Sequence, residues 1–142
     1  MSVYIGIFVA AFLAATIVPF YSEVAVGAAV LGGKSPWLVW LVASVGNTLG
    51  AVVNGILGRV LGLMHVERLL RIKPQEMERV QRWFGKYGVW SLLLAWLPIG
   101  GDAITVVAGV MRVRWIPFVA LVFAGKAARY AVLIYAVLAA AR

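Results

Sequence analysis

Glu23, Asp102, Lys126 and Arg129 carry full charges in stretches otherwise apolar enough to lie in a membrane. On insertion scales each costs about 2.5–3.5 kcal/mol at the bilayer centre unless a partner or water meets it. Their formal charges cancel, so two ion pairs would account for all four. Lys126 stands twelve positions into an apolar run, near mid-depth, and Arg129 follows three residues later on the same helix face. Side by side in a low dielectric, a guanidinium fork and an ammonium point charge make a receptor for a phosphate or phosphonate. Glu23 and Asp102 then serve as protonatable partners that release or reclaim the two cations, which requires pairs that open and close. Asn47 offers a neutral donor and acceptor at matching depth, with Thr48 and Asn54 nearby, and helix packing has an equal claim on these three.

The charges recur in register. Pro19, Glu23 and the Gly46-Asn47 pair reappear 79 residues later as Pro98, Asp102 and the Gly125-Lys126 pair. A proline four residues before a carboxylate suits an ordinary membrane helix poorly, and its repetition points to a duplicated, broken hairpin. Crossing the hydrocarbon core takes about 20 apolar helical residues. Pro36 to Leu63 and Trp115 to Ala140 clear that length. Val3 to Val18, at about 24 Å, and Glu23 to Leu31, at about 14 Å, do not. Together they predict a re-entrant hairpin broken at Pro19, its irregular backbone covered by protein or water. Val89 to Leu97 and Asp102 to Met111 predict a second hairpin, with Pro98 stopping the incoming limb and Gly100 and Gly101 permitting the turn. Glu23 and Asp102 fall at the start of the returning limbs, where capping of free N–H groups is their plain structural explanation.

The elements that must position these residues follow from composition. At 142 residues, 64% hydrophobic and a mean hydropathy of +0.99, the chain reads as an all-α integral membrane protein with one compact domain. It divides into a first repeat (1–63), a linker (64–88) and a second repeat (89–142). In the linker Pro74 suits a helix start, and Met77, Val80, Phe84 and Tyr87 recur at helical spacing among charged residues. This predicts a basic amphipathic helix on the membrane surface. Much of the net charge of +8 lies between Arg59 and Lys86, in a basic segment flanked by apolar runs, pointing to an anionic membrane surface rather than nucleic acid. A hairpin returns to its own side, so each repeat crosses once and the two repeats have inverted topology. The positive-inside rule then puts the linker in the cytoplasm and both termini outside. The apolar N-terminus lacks the basic start of a secretory signal and is taken as mature structure.

Catalysis finds little support. There is no cysteine, His65 is the single histidine and lies in the linker, and Ser22, Ser35, Ser44 and Ser91 have no histidine partner. No metal site, cofactor or enzyme activity is expected. The pairs Gly46/Gly50 and Gly58/Gly62 favour packing against a hairpin over dimerisation, and a homodimer stays open. Most of the six tryptophans stand near segment ends as interfacial anchors.

Several spaced motifs carry a family resemblance. Pro19-Phe-Tyr-Ser-Glu23, Gly46-Asn-Thr-Leu-Gly50, Leu57-Gly-Arg59, Tyr87-Gly88, Leu97-Pro-Ile-Gly-Gly-Asp102, Val107-Ala-Gly109 and Gly125-Lys-Ala-Ala-Arg-Tyr130 stand in the order seen in the DedA, or VTT-domain, family. The chain most resembles the short YqaA-type branch of these bacterial membrane proteins. The resemblance implies two re-entrant hairpins packed with long helices in the bacterial inner membrane. It also implies movement of lipid, with undecaprenyl phosphate as carrier lipid and dependence on the proton motive force in some members. Longer members read Arg-Phe-x-Pro-x-x-Arg in the second hairpin, where this chain has Ala95 and Gly101 at the arginine positions, and Ala51 stands where they carry an acid. Lys126, Arg129 and Asp102 are the residues here that can supply that charge. The expected function is flipping of an anionic polyprenyl phosphate. A proton- or sodium-coupled exchanger of small cations and a non-transporting scaffold are the alternatives.

Overall fold

The computed structural model describes residues 2–16, 21–62, 73–96 and 101–142. Among them the chain is helical throughout: α1 (Ser2–Thr16), α2 (Tyr21–Leu31), α3 (Pro36–Leu61), α4 (Pro74–Tyr87), a 3₁₀ segment (Gly88–Trp96), α5 (Gly101–Val110) and α6 (Trp115–Ala140). Pro19, Pro98, Gly100 and His65 lie outside the described residues, as does the linker from 64 to 72.

α3 and α6 are the two described helices long and apolar enough to cross a membrane. Each has 26 residues, about 39 Å at the helical rise. Pro36 opens α3 where a missing N–H costs nothing. The helix ends at Leu61, two residues short of the expected end, because Gly62 turns the backbone to φ 79°.

The offset of 79 governs the backbone as well as the side chains. α3 and α6 begin 79 residues apart and end 79 residues apart. The turn closing α2 and the turn closing α5 share one hydrogen-bond pattern. Gly33 N–H donates to Val30 and Lys34 N–H to Ala29, while Arg112 N–H donates to Gly109 and Val113 N–H to Ala108. Both are Schellman caps, with the left-handed residue being Gly33 (φ 89°) in the first and Arg112 (φ 58°) in the second.

The second incoming limb differs from expectation. Val89 to Leu97 reads as an α-helical limb, yet Gly88–Trp96 winds as a 3₁₀ helix. At about 2.0 Å per residue nine residues reach roughly 18 Å, against roughly 13.5 Å as an α-helix. The tighter winding lengthens a limb that is short compared with α1.

Packing is reciprocal. α3 lies against α1 and also against α5, while α6 lies against the 3₁₀ segment and also against α2. Glycines permit the close approaches on α3. A Cβ at Gly46 would stand 2.7 Å from the Phe8 carbonyl oxygen, Gly50 meets Phe12 and Ala15, and Gly58 meets the backbone of Val106. The expected use of small residues in packing the chain's own helices is therefore visible at Gly46, Gly50 and Gly58, whereas Gly62, the second member of the Gly58/Gly62 pair, meets nothing within 4 Å and instead ends α3. Two apolar clusters result: one joins Ile7, Ala11, Val26, Val39, Tyr130 and Ile134, and the other joins Ala51, Leu92, Val106, Phe118 and Val122 with α4.

On α4 the predicted apolar face forms, with Met77, Val80 and Phe84 buried. It is filled by α5 and the 3₁₀ segment. Tyr87, expected on that face, is 48% exposed because it falls at the edge of the stripe in the last helical position.

Candidate functional site

Polar side chains gather at the middle of the two long helices. On α6, Lys126 is 2% exposed and engaged within the fold, and Tyr130 is fully buried. Arg129, between them, forms an ion pair with Glu23 in the first turn of α2. Alongside it the Tyr130 hydroxyl donates to Ser22 Oγ at 2.8 Å, both groups being buried. Two consecutive residues of α2 are thus fastened to two consecutive residues of α6, one pair by charge and one by a neutral hydrogen bond. The Arg129 guanidinium also lies 5.8 Å from the Tyr130 ring centroid.

Arg129 has a second aspect. With Leu93, Ala124, Gly125 and Ala128 it lines an open pocket of about 320 Å³ between α6 and the 3₁₀ segment. A cation held by a carboxylate therefore also borders a cavity, whose described lining on α6 is otherwise of small residues.

On α3, Ser44, Asn47, Thr48 and Asn54 are all buried along one stripe. Asn47 Nδ2 donates to the Ala11 carbonyl at 2.7 Å, and Asn54 Nδ2 donates to the Ala15 carbonyl at 2.8 Å. Ala15 lies in the last turn of α1, where carbonyls have no intrahelical donor, so Asn54 supplies the missing partner. Asn54 Nδ2 also reaches Thr105 Oγ1 of α5 at 3.4 Å. One amide thereby links the end of α1 to α5 across α3. Among the described residues Asn47 Oδ1 and Asn54 Oδ1 are buried without a hydrogen-bond partner. The Trp40 indole donates to the Ala127 carbonyl at 2.8 Å, tying α3 to α6.

Of the residues singled out by sequence, the structure brings Glu23 and Arg129 together and sets Lys126 on the same stretch of α6. Asn47 sits in the α1–α3 contact, on a different helix pair from the Glu23–Arg129 bond. Asp102 is the second residue of α5, a first-turn position like that of Glu23, and its side chain lies outside those described. The helix-packing role weighed for Asn47 and Asn54 is seen in their bonds to α1, and in the bond from Asn54 to α5, whereas the pairing of Ser22 with Tyr130 had no sequence signal beyond adjacency to Glu23 and Arg129. Groups of three or more His, Asp or Glu able to hold a metal ion are absent among the described residues.

The VTT domain model matches residues 2–139. The chain is 40% identical over 126 residues to the inner membrane protein YqaA of Escherichia coli, covering 88% of this chain and 84% of that protein. It is 29% identical over 94 residues to an alkaline phosphatase-like protein of Lactococcus lactis, covering 60% of this chain and 44% of that one. With undecaprenyl phosphate transporter A of Staphylococcus aureus it shares 26% identity over 95 residues, 61% of this chain and 47% of the transporter. No solved structure matches.

Proposed function

The chain belongs to the VTT-domain, or DedA, family of membrane proteins, and from that premise we propose that it moves an anionic lipid, a polyprenyl phosphate, across the bacterial inner membrane. The observation that carries this reading is the double role of Arg129: it is paired with Glu23 and it borders an open pocket. A phosphate entering that pocket competes with the Glu23 carboxylate for the guanidinium. Lys126, three residues earlier on α6 and buried beside rather than in the lining of that pocket, is assigned in this proposal as the second positive charge near the phosphate. The apolar tail stays in lipid. Protonation of Glu23 frees Arg129 for the phosphate, and deprotonation reclaims it, which couples movement to a proton gradient. Asp102 plays the matching part in the second unit. The similarity to a protein named for undecaprenyl phosphate transport supports the choice of substrate.

Two inverted repeats supply the framework in this proposal, each a re-entrant hairpin followed by one crossing. The shared offset of helix bounds and turns and the reciprocal packing of α2 on α6 and α5 on α3 support it. Reciprocity of that kind is what a two-fold relation produces. Linker 64–88 is cytoplasmic and both termini are outside.

The test is transbilayer movement of a short-chain polyprenyl phosphate in proteoliposomes. Movement by wild type and none by Lys126→Met is expected. Equal movement by both would remove Lys126 from the site.

A further inference from the structure

The outer face of α4 has a different character from the inner one. Arg79, Arg82 and Lys86 recur at spacings of three and four, opposite the buried Met77, Val80 and Phe84, and all three cations are exposed. Trp83 and Tyr87, 45% and 48% exposed, run beside them with ring centroids 5.6 Å apart, and Lys86 Nζ lies 5.3 Å from the Tyr87 ring centroid. These five residues enclose a surface pocket of about 380 Å³. Glu76 and Glu78 share the helix, yet no carboxylate among the described residues pairs with any of the three cations.

We propose that this pocket binds the headgroup of an anionic phospholipid at the cytoplasmic surface. The apolar stripe of α4 is already occupied by the protein, so its contact with the bilayer must run along another edge. An aromatic row next to a cationic row is the pairing that an interface selects: rings at the level of the headgroup linkage, cations at the phosphate. Two guanidiniums and an ammonium on consecutive turns can fork a phosphate and hold it against a ring face. The site is separate from Arg129 and stands whether or not the chain transports lipid.

Native mass spectrometry of the full chain released from nanodiscs of equimolar phosphatidylglycerol and phosphatidylcholine tests it. Wild type should retain phosphatidylglycerol with a preference of about ten-fold. The Arg79→Gln/Arg82→Gln/Lys86→Gln variant, altered only at exposed side chains, should fall to the bulk ratio. A charge-matched control, Lys34→Gln/Arg112→Gln/Arg142→Gln, should keep the preference. Arg82→Glu, a single reversal, should push the ratio below bulk. Unchanged retention by the triple variant, or equal loss in the control, would overturn the site. Retention of inorganic phosphate at the site by the wild type, in place of phosphatidylglycerol when both are supplied at equal concentration, would overturn a lipid as its occupant.

Discussion

A carboxylate at the start of α2 and a guanidinium halfway along α6 form a contact that both a transporter and a mere scaffold would use. The two uses separate in a pair of variants. Glu23→Gln leaves Arg129 without its counter-ion, and breaking a buried pair from one side costs about 3–5 kcal/mol. With side-chain exposures of 33% and 15%, this pair should lie at or below the lower end of that range, read as a fall in thermal stability in detergent. Glu23→Gln/Arg129→Gln replaces the ion pair with two neutral amides and should regain most of that stability without regaining transport. Transport by the double variant would make the pair structural. Sequence exposed Glu23 and Arg129 because a charge in an apolar tract is rare and costly. It left the partner open, since Lys126 and Arg129 share a face and only the packing of α2 on α6 chooses between them. The pairing of Ser22 with Tyr130 went unforeseen for the opposite reason: both are marked in the sequence, Ser22 as a serine without a histidine partner and Tyr130 within a motif, but neutral hydroxyls carry no cost that demands a partner.

At the level of helices, the central feature is α3, which receives α1 on one stretch and α5 on another through glycines. Gly46→Ala should destabilise the protein by about 1–3 kcal/mol, because the added methyl meets a backbone carbonyl that cannot swing aside. Gly6→Ala, whose added methyl meets nothing within 4 Å, is the matched control and should be neutral or slightly stabilising. Comparable melting temperatures for the two variants would contradict this packing. Helix bounds were legible where punctuation was strong. Pro36 and Pro74 begin α3 and α4, and the bounds of α6 coincide with its apolar run. The 3₁₀ winding of Gly88–Trp96 was not legible, since Val-Trp-Ser-Leu-Leu-Leu-Ala suits an α-helix equally well. The fate of the α4 apolar stripe was hidden for a similar reason: periodicity reveals a face and not what covers it.

For the whole molecule, two apolar clusters are accompanied by polar ties, Glu23–Arg129 and Ser22–Tyr130 between α2 and α6, and Asn47 and Asn54 from α3 to α1. The proposed inverted repeats would place the turn at Gly33-Lys34 and the turn at Arg112-Val113 on opposite sides of the membrane. The chain has no cysteine, so single cysteines at these positions report without background. A membrane-impermeant maleimide should label Lys34→Cys in intact cells and Arg112→Cys only after permeabilisation, whereas labelling of both from outside would refute the inverted topology. The central claim is lipid movement through the Glu23–Arg129 pair, and one measurement addresses it most directly. Short-chain polyprenyl phosphate translocation is followed in proteoliposomes under an imposed pH gradient for wild type, Glu23→Gln and Lys126→Met. The account predicts gradient-dependent movement by wild type and loss of it in both variants. No movement by well-folded wild type, or undiminished movement by Glu23→Gln, would contradict it.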